Sequence, residues 1–133
     1  MTDTCSNQDI SQTKITGLAG TSYIDKTQNA KVFTSTSPDL SFFGPVDRVY
    51  RSLPQDTTSI VVAGRPRLDV VRDNLRDTVV WNPWKEGAEA MGDFAPKDGY
   101  KRMVCVESGA VDGWIGLEAQ DAFEAGQAFR ARI

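Results

Sequence analysis

Short apolar runs, each closed by glycine, proline or asparagine, follow one another along the whole chain. This rhythm excludes long helices and favours strands joined by tight turns. The strand candidates are Lys14–Thr16, Ser22–Asp25, Lys31–Thr34, Leu40–Phe43, Val46–Arg51, Ser59–Ala63, Arg67–Asp73, Thr78–Trp81 and Arg102–Glu107. Trp114–Glu118 and Ala125–Ile133 complete the set as an expected hairpin or meander. Lys85–Met91, with Pro83 just ahead of it, reads as one short helix. Such a pattern predicts an all-β sandwich. Residues 1–12 read as a polar N-terminal arm, and residues 13–133 as a single domain.

Composition narrows the function. The chain has 133 residues, enough for one core. Its net charge is −3, which disfavours a nucleic-acid partner. No apolar run approaches the ~20 residues of a membrane span, and no signal peptide is expected at the polar N-terminus. With two cysteines and no histidine, a zinc site is not expected, and reduced thiols in the cytoplasm are the simplest setting. The alternating arginines and aspartates at Arg65, Arg67, Asp69, Arg72, Asp73, Arg76 and Asp77 are expected to form a solvated, mutually neutralising face.

Two carboxylates stand out. Glu107 ends the run Met103–Glu107, where Met103 and Cys105 share its face. Should that face be inward, the carboxylate would be partly desolvated, the setting of a general base working near neutrality. A glutamate at a strand end is more often simply solvated. Asp47 is the second candidate, an acceptor for two or more sugar hydroxyls, with a local salt bridge to Arg48 as the bland alternative. In Val46–Arg51 each face carries both a charge and an apolar side chain, so the buried face stays undecided. Trp81 and Trp114 read as core or turn packing, and Trp84 as the tryptophan more suited to a surface, substrate-stacking role. Cys105 reads as a small core residue.

Several segments carry a family likeness: ITGLAGTSYIDK at Ile15–Lys26, DRVY at Asp47–Tyr50, VVWNPW at Val79–Trp84, AMGDF at Ala90–Phe94 and MVCVES at Met103–Ser108. In this order and spacing the chain resembles the C-terminal half of the hexose-6-phosphate 1-epimerases. These are relatives of apospory-associated protein C within the aldose 1-epimerase, or mutarotase, superfamily. The resemblance implies half of a β-supersandwich, a hexose or hexose 6-phosphate as ligand, and no cofactor. It implies that Glu107 matches the glutamate that deprotonates the anomeric hydroxyl, and Asp47 the aspartate that holds sugar hydroxyls.

The departures are equally specific. The family's acid histidine falls near Thr2, and its phosphate-binding arginines belong to an N-terminal half without a counterpart here. The expectation is therefore a truncated epimerase-like protein with residual or lost interconversion of anomers. The alternatives are a non-catalytic interaction protein and a split enzyme completed by a partner. A homodimer or higher oligomer is expected, because the missing half would have covered this sheet.

Overall fold

In the computed structural model, residues 9–133 are described. Ten strands alternate with short connections: β1 Thr13–Thr16, β2 Ser22–Asp25, β3 Lys31–Thr34, β4 Asp39–Ser41, β5 Val46–Tyr50, β6 Thr57–Val62, β7 Arg65–Asp73, β8 Asp77–Asn82, β9 Cys105–Gly109 and β10 Gly126–Ala131. One helix, α1 (Trp84–Ala90), follows β8. Two five-stranded sheets result, in the orders β3-β2-β5-β8-β9 and β10-β7-β6-β1-β4. All pairings are antiparallel. The sheets face each other across one core, as the sequence rhythm predicts for a sandwich.

Alternation decides which side of each strand enters that core. Val46, Tyr50, Val80 and Val106 from the first sheet meet Ile15, Leu40, Ile60, Val62 and Val70 from the second. Val46, Arg48 and Tyr50 therefore point inward and Asp47 points outward, which settles the face of β5. Ala63 and Gly64, both at positive φ, join β6 to β7; a two-residue connection with both residues left-handed matches the twist of a hairpin. At the β1–β2 turn, Gly17 has φ +87, and an added Cβ would lie 2.6 Å from the Thr57 carbonyl oxygen. No side chain fits there.

Three features differ from the sequence reading. Of the segment expected as an arm, residues 1–8 lie outside the described residues, and Ile10–Gln12 form a 3-10 turn whose Ile10 is buried in the core. Trp114–Glu118 is not a strand, and β10 pairs with β7 in place of a hairpin with that segment. Trp114 is fully exposed, not core.

The third difference lies in the charged run. Asp69, Arg72 and Asp77 are all buried. Arg72 donates to the Thr58 and Thr78 hydroxyls at 2.7 and 2.8 Å and to the Gln55 carbonyl. Asp77 accepts backbone N–H bonds from Ser52, Val111 and Asp112 at 3.0, 2.7 and 2.9 Å. These charges are interior because local hydrogen bonds satisfy them, which sequence spacing does not reveal. Asp69 accepts from Ser59 at 2.8 Å and faces Arg132 at 2.6 Å and Arg130 at 3.8 Å.

The Ser59 hydroxyl, opposed by burial and then helped by Arg132 and Arg130, holds the Asp69 carboxyl below its ordinary value of 3.8. A carboxylate depressed by folding adds stability above its unfolded pKa and loses it as pH falls through the folded one. Asp69→Asn is expected to flatten the decline of folding stability on acidification below pH 3.8, measured by urea unfolding. An unchanged slope would contradict this assignment.

Candidate functional site

The site is built from β5, β8 and β9. Residues opposite one another in a sheet share a face. Asp47 lies opposite Trp81, and Trp81 opposite Cys105. One step along, Ile24, Val49, Val79 and Glu107 form a second row. Both rows occupy the face opposite Val46, Tyr50, Val80 and Val106, although Val49 and Cys105 within them are themselves buried. Asp47 and Glu107 therefore stand on one platform, diagonally across β8. From strand spacing and rise, their Cα atoms are roughly 12 Å apart.

The register places Glu107 outward, so burial in the core does not explain it. Its side chain is half-buried beside Val79 and Cys105. Among the described residues it has no hydrogen-bond or ion-pair partner. Asp47 is one-third exposed and faces Lys26 at 3.8 Å. A pair this long and solvated contributes little stability, which leaves Asp47 free to exchange partners.

Lys26 is held by a buried anchor. Asp25 caps the Lys26–Gln28 turn, accepting from the Thr27 N–H at 2.9 Å, the Thr27 hydroxyl at 2.5 Å and the Gln28 amide at 3.1 Å. Arg48 approaches the same carboxylate at 3.4 Å, lies 4.6 Å over the Tyr23 ring and donates to the Tyr50 hydroxyl at 3.3 Å. Burial pushes the Asp25 carboxyl up, but the Thr27 and Gln28 hydrogen bonds and Arg48 outweigh it, and the net shift is downward. Arg48 thus pairs with Asp25, not with its sequence neighbour Asp47.

Asn82 aligns β9. Its side-chain amide donates to the Tyr100 and Met103 carbonyls at 2.9 and 2.8 Å, and its oxygen accepts the Trp84 N–H at 2.8 Å. One fully buried side chain so ties the end of β8, the start of α1 and the turn that leads into β9. Trp84 adopts φ 59, a left-handed conformation unusual for a bulky residue. Its ring packs against the core and lies 5.5 Å from Tyr100. Trp84, expected in a surface role, is half-buried with its ring against the core, and Trp81, read as core or turn packing, is the tryptophan on the platform. Sequence reasoning missed Asn82 and Asp25; an asparagine directly before Pro83-Trp84 was the available signal for the first. Among the described residues no three His, Cys, Asp or Glu side chains gather to hold a metal, and no helix is long and apolar enough to cross a membrane.

Two antiparallel five-stranded sheets packed on one core define an all-β sandwich. Residues 2–130 match the aldose 1-epimerase family model, and the chain belongs to that family. It is 35% identical over 125 residues to a candidate glucose-6-phosphate 1-epimerase of Cenchrus ciliaris, covering 94% of this chain and 36% of that protein. A protein of the same name from Salmonella typhimurium is 40% identical over 101 residues, 75% of this chain and 33% of its own. The crystal structure of a candidate mutarotase from Salmonella typhimurium superposes with a TM-score of 0.67 at 39% identity, again over 75% and 33% of the two chains. The chain spans about a third of the length of these relatives.

Asn82→Ala would leave the Tyr100 and Met103 carbonyls and the Trp84 N–H unpaired. The expected cost is about 2–4 kcal/mol, from roughly 1–3 kcal/mol per buried unsatisfied group and partial relaxation. Urea unfolding at constant slope measures it; a cost within experimental error would refute the role given to Asn82.

Proposed function

We propose that this chain binds a hexose or hexose 6-phosphate on the β5-β8-β9 platform and retains the base, but not the acid, of anomer interconversion. The observation that carries this reading is the shared face of Asp47 and Glu107, with Glu107 making no ion pair or hydrogen bond among the described residues. Asp47 accepts hydrogen bonds from ring hydroxyls once a sugar displaces Lys26. Trp81 and Val79 offer an apolar floor to a sugar ring. Glu107 removes the proton of the anomeric hydroxyl, the C–O bond to the ring oxygen breaks, and the resulting aldehyde rotates before the ring closes again.

Ring opening also needs a proton at the ring oxygen. None of these 133 residues is a histidine that could donate it. Loss of one member of an acid–base pair costs on the order of 10²–10⁴-fold in rate. The names of the relatives support the hexose phosphate as ligand, and the reduced-thiol composition supports a cytoplasmic setting. A second reading is a non-catalytic protein that works through self-association. It is favoured by the exposed Val111, Trp114, Ile115, Leu117, Phe123 and Phe129, since apolar patches of this kind mark interfaces. Self-association is compatible with either reading, and we take the chain to be a homo-oligomer.

Exchange between the α and β anomers of glucose 6-phosphate, followed by NMR, tests the proposal. Acceleration by the wild type that disappears in Glu107→Gln is expected. Asp47→Asn is expected to weaken sugar binding roughly 5–100-fold, the worth of one or two hydrogen bonds to a charged acceptor. No acceleration, together with no sugar-induced change in the protein spectrum, would end the sugar reading.

A further inference from the structure

Arg72 is a cation placed where cations are costly. It stands on β7 and is 5% exposed. Its guanidinium donates to three neutral oxygens, the Thr58 and Thr78 hydroxyls and the Gln55 carbonyl. Among the described residues no carboxylate lies within ion-pairing distance of it. Asp69, on the same strand, makes the contrast: it has Arg132 at 2.6 Å. Burial holds the Arg72 pKa below its ordinary value, and Asp56 and Asp77 oppose that only from beyond ion-pairing distance. A guanidinium stays charged in a protein, and a buried charge is normally paired. The hydrogen bonds therefore fix Arg72 in place and leave its charge without a direct counter-ion. They also leave part of its donor fork unused, since a guanidinium carries five N–H groups.

This charge forms part of the wall of an open cavity of about 540 Å³. The cavity lies where residues 53–56, residues 74–76 and the segment 110–123 meet. Leu53, Leu75, Ala110, Ile115 and Phe123 give it apolar walls. Arg72 and Arg76 bring two positive charges to the lining against one carboxylate, Asp56. Arg76 lies 3.6 Å from Asp77 and donates to the Asp112 carbonyl, and its side chain is 46% exposed. A concave, mostly apolar surface with a few placed charges is the usual make-up of a small-molecule site. Asp47, Val79, Trp81 and Glu107 do not line it, so it is separate from the sugar platform.

We propose that this cavity binds a small organic anion, with its carboxylate or phosphate on the unused N–H groups of Arg72 and its apolar body against Leu75, Ile115 and Phe123. Both anionic heads match the fork of a guanidinium. The ligand supplies the counter-charge that the chain itself does not bring within reach, and Arg76 adds a second cation. An Arg72 that serves only to pin Thr58, Thr78 and Gln55 would give no response to anions.

Amide chemical shifts of the full chain, titrated with phenyl phosphate, benzoate, inorganic phosphate and neutral benzyl alcohol, test the site. Phenyl phosphate and benzoate are expected to move the resonances of Gln55, Arg72, Leu75, Ala110 and Ile115 at millimolar concentration. Benzyl alcohol is expected to leave them in place, and inorganic phosphate, which has no apolar body, to bind roughly fivefold or more weakly. Arg72→Met strips the Thr58 and Thr78 hydroxyls of their donor and tests folding as much as binding, so the exposed Gln55 and Asp56 carry the test. Asp56→Asn removes the lining carboxylate and should tighten phenyl phosphate binding roughly 2–5-fold, and Gln55→Glu adds one and should weaken it by a similar factor. Still resonances, equal movement by benzyl alcohol, inorganic phosphate binding as tightly as phenyl phosphate, or charge variants that do not move the affinity in opposite directions would each overturn the site. Anion binding here with a platform silent to sugar would sink the sugar reading alone. Sugar shifts at the platform with a cavity silent to these anions would sink this site alone.

Discussion

The buried Asn82 side chain holds the β8, α1 and β9 end of the first sheet together. Everything specific about the platform depends on β9 meeting β8 in one register. A one-residue slip would turn Glu107 into the core and Val106 outward. Apolar alternation on β9 opposes that slip, but β9 is only five residues long. Asn82 adds a fixed point by binding both carbonyls of the segment that enters β9 and the first N–H of α1. The VVWNPW segment is therefore a hinge pin between strand, helix and next strand, with Trp84 driven into a left-handed conformation against the core.

A second anchor works at the other edge of the site. Asp25 is interior, yet it stays charged because four hydrogen-bonding or ionic partners replace its water. Its job is to hold the Lys26 turn against β5. Both anchors are buried polar groups with satisfied partners, the kind that specify one arrangement when complete. They set where Asp47 and Glu107 stand.

The strands were legible because period-two patterning and turn residues are local. β2 and β3 match their sequence bounds, and β5 and β8 differ only at their ends. The carboxylates Asp47 and Glu107 were legible through the family likeness, not through spacing. Their common face needed the pairing of three strands, which is long-range information. The charged run from Arg65 to Asp77 misled because a buried charge and a surface charge look alike in sequence. Partners from elsewhere in the chain offset the cost of burial: Thr58, Thr78 and Gln55 for Arg72, Ser59 and Arg132 for Asp69, and the Ser52, Val111 and Asp112 N–H groups for Asp77. Trp81 and Trp114 exchanged surroundings with expectation for a similar reason: Trp81 follows the strand alternation outward, and Trp114 sits on a loop with no strand to carry it inward.

The central claim is that a sugar lies on the outer face of β5, β8 and β9. Backbone amide chemical shifts during titration with glucose 6-phosphate test it directly. The account predicts changes concentrated at Asp47, Val79, Trp81 and Glu107, with Lys26 moving as its carboxylate partner is taken. Shifts confined to the opposite sheet, or none at millimolar sugar, would contradict it.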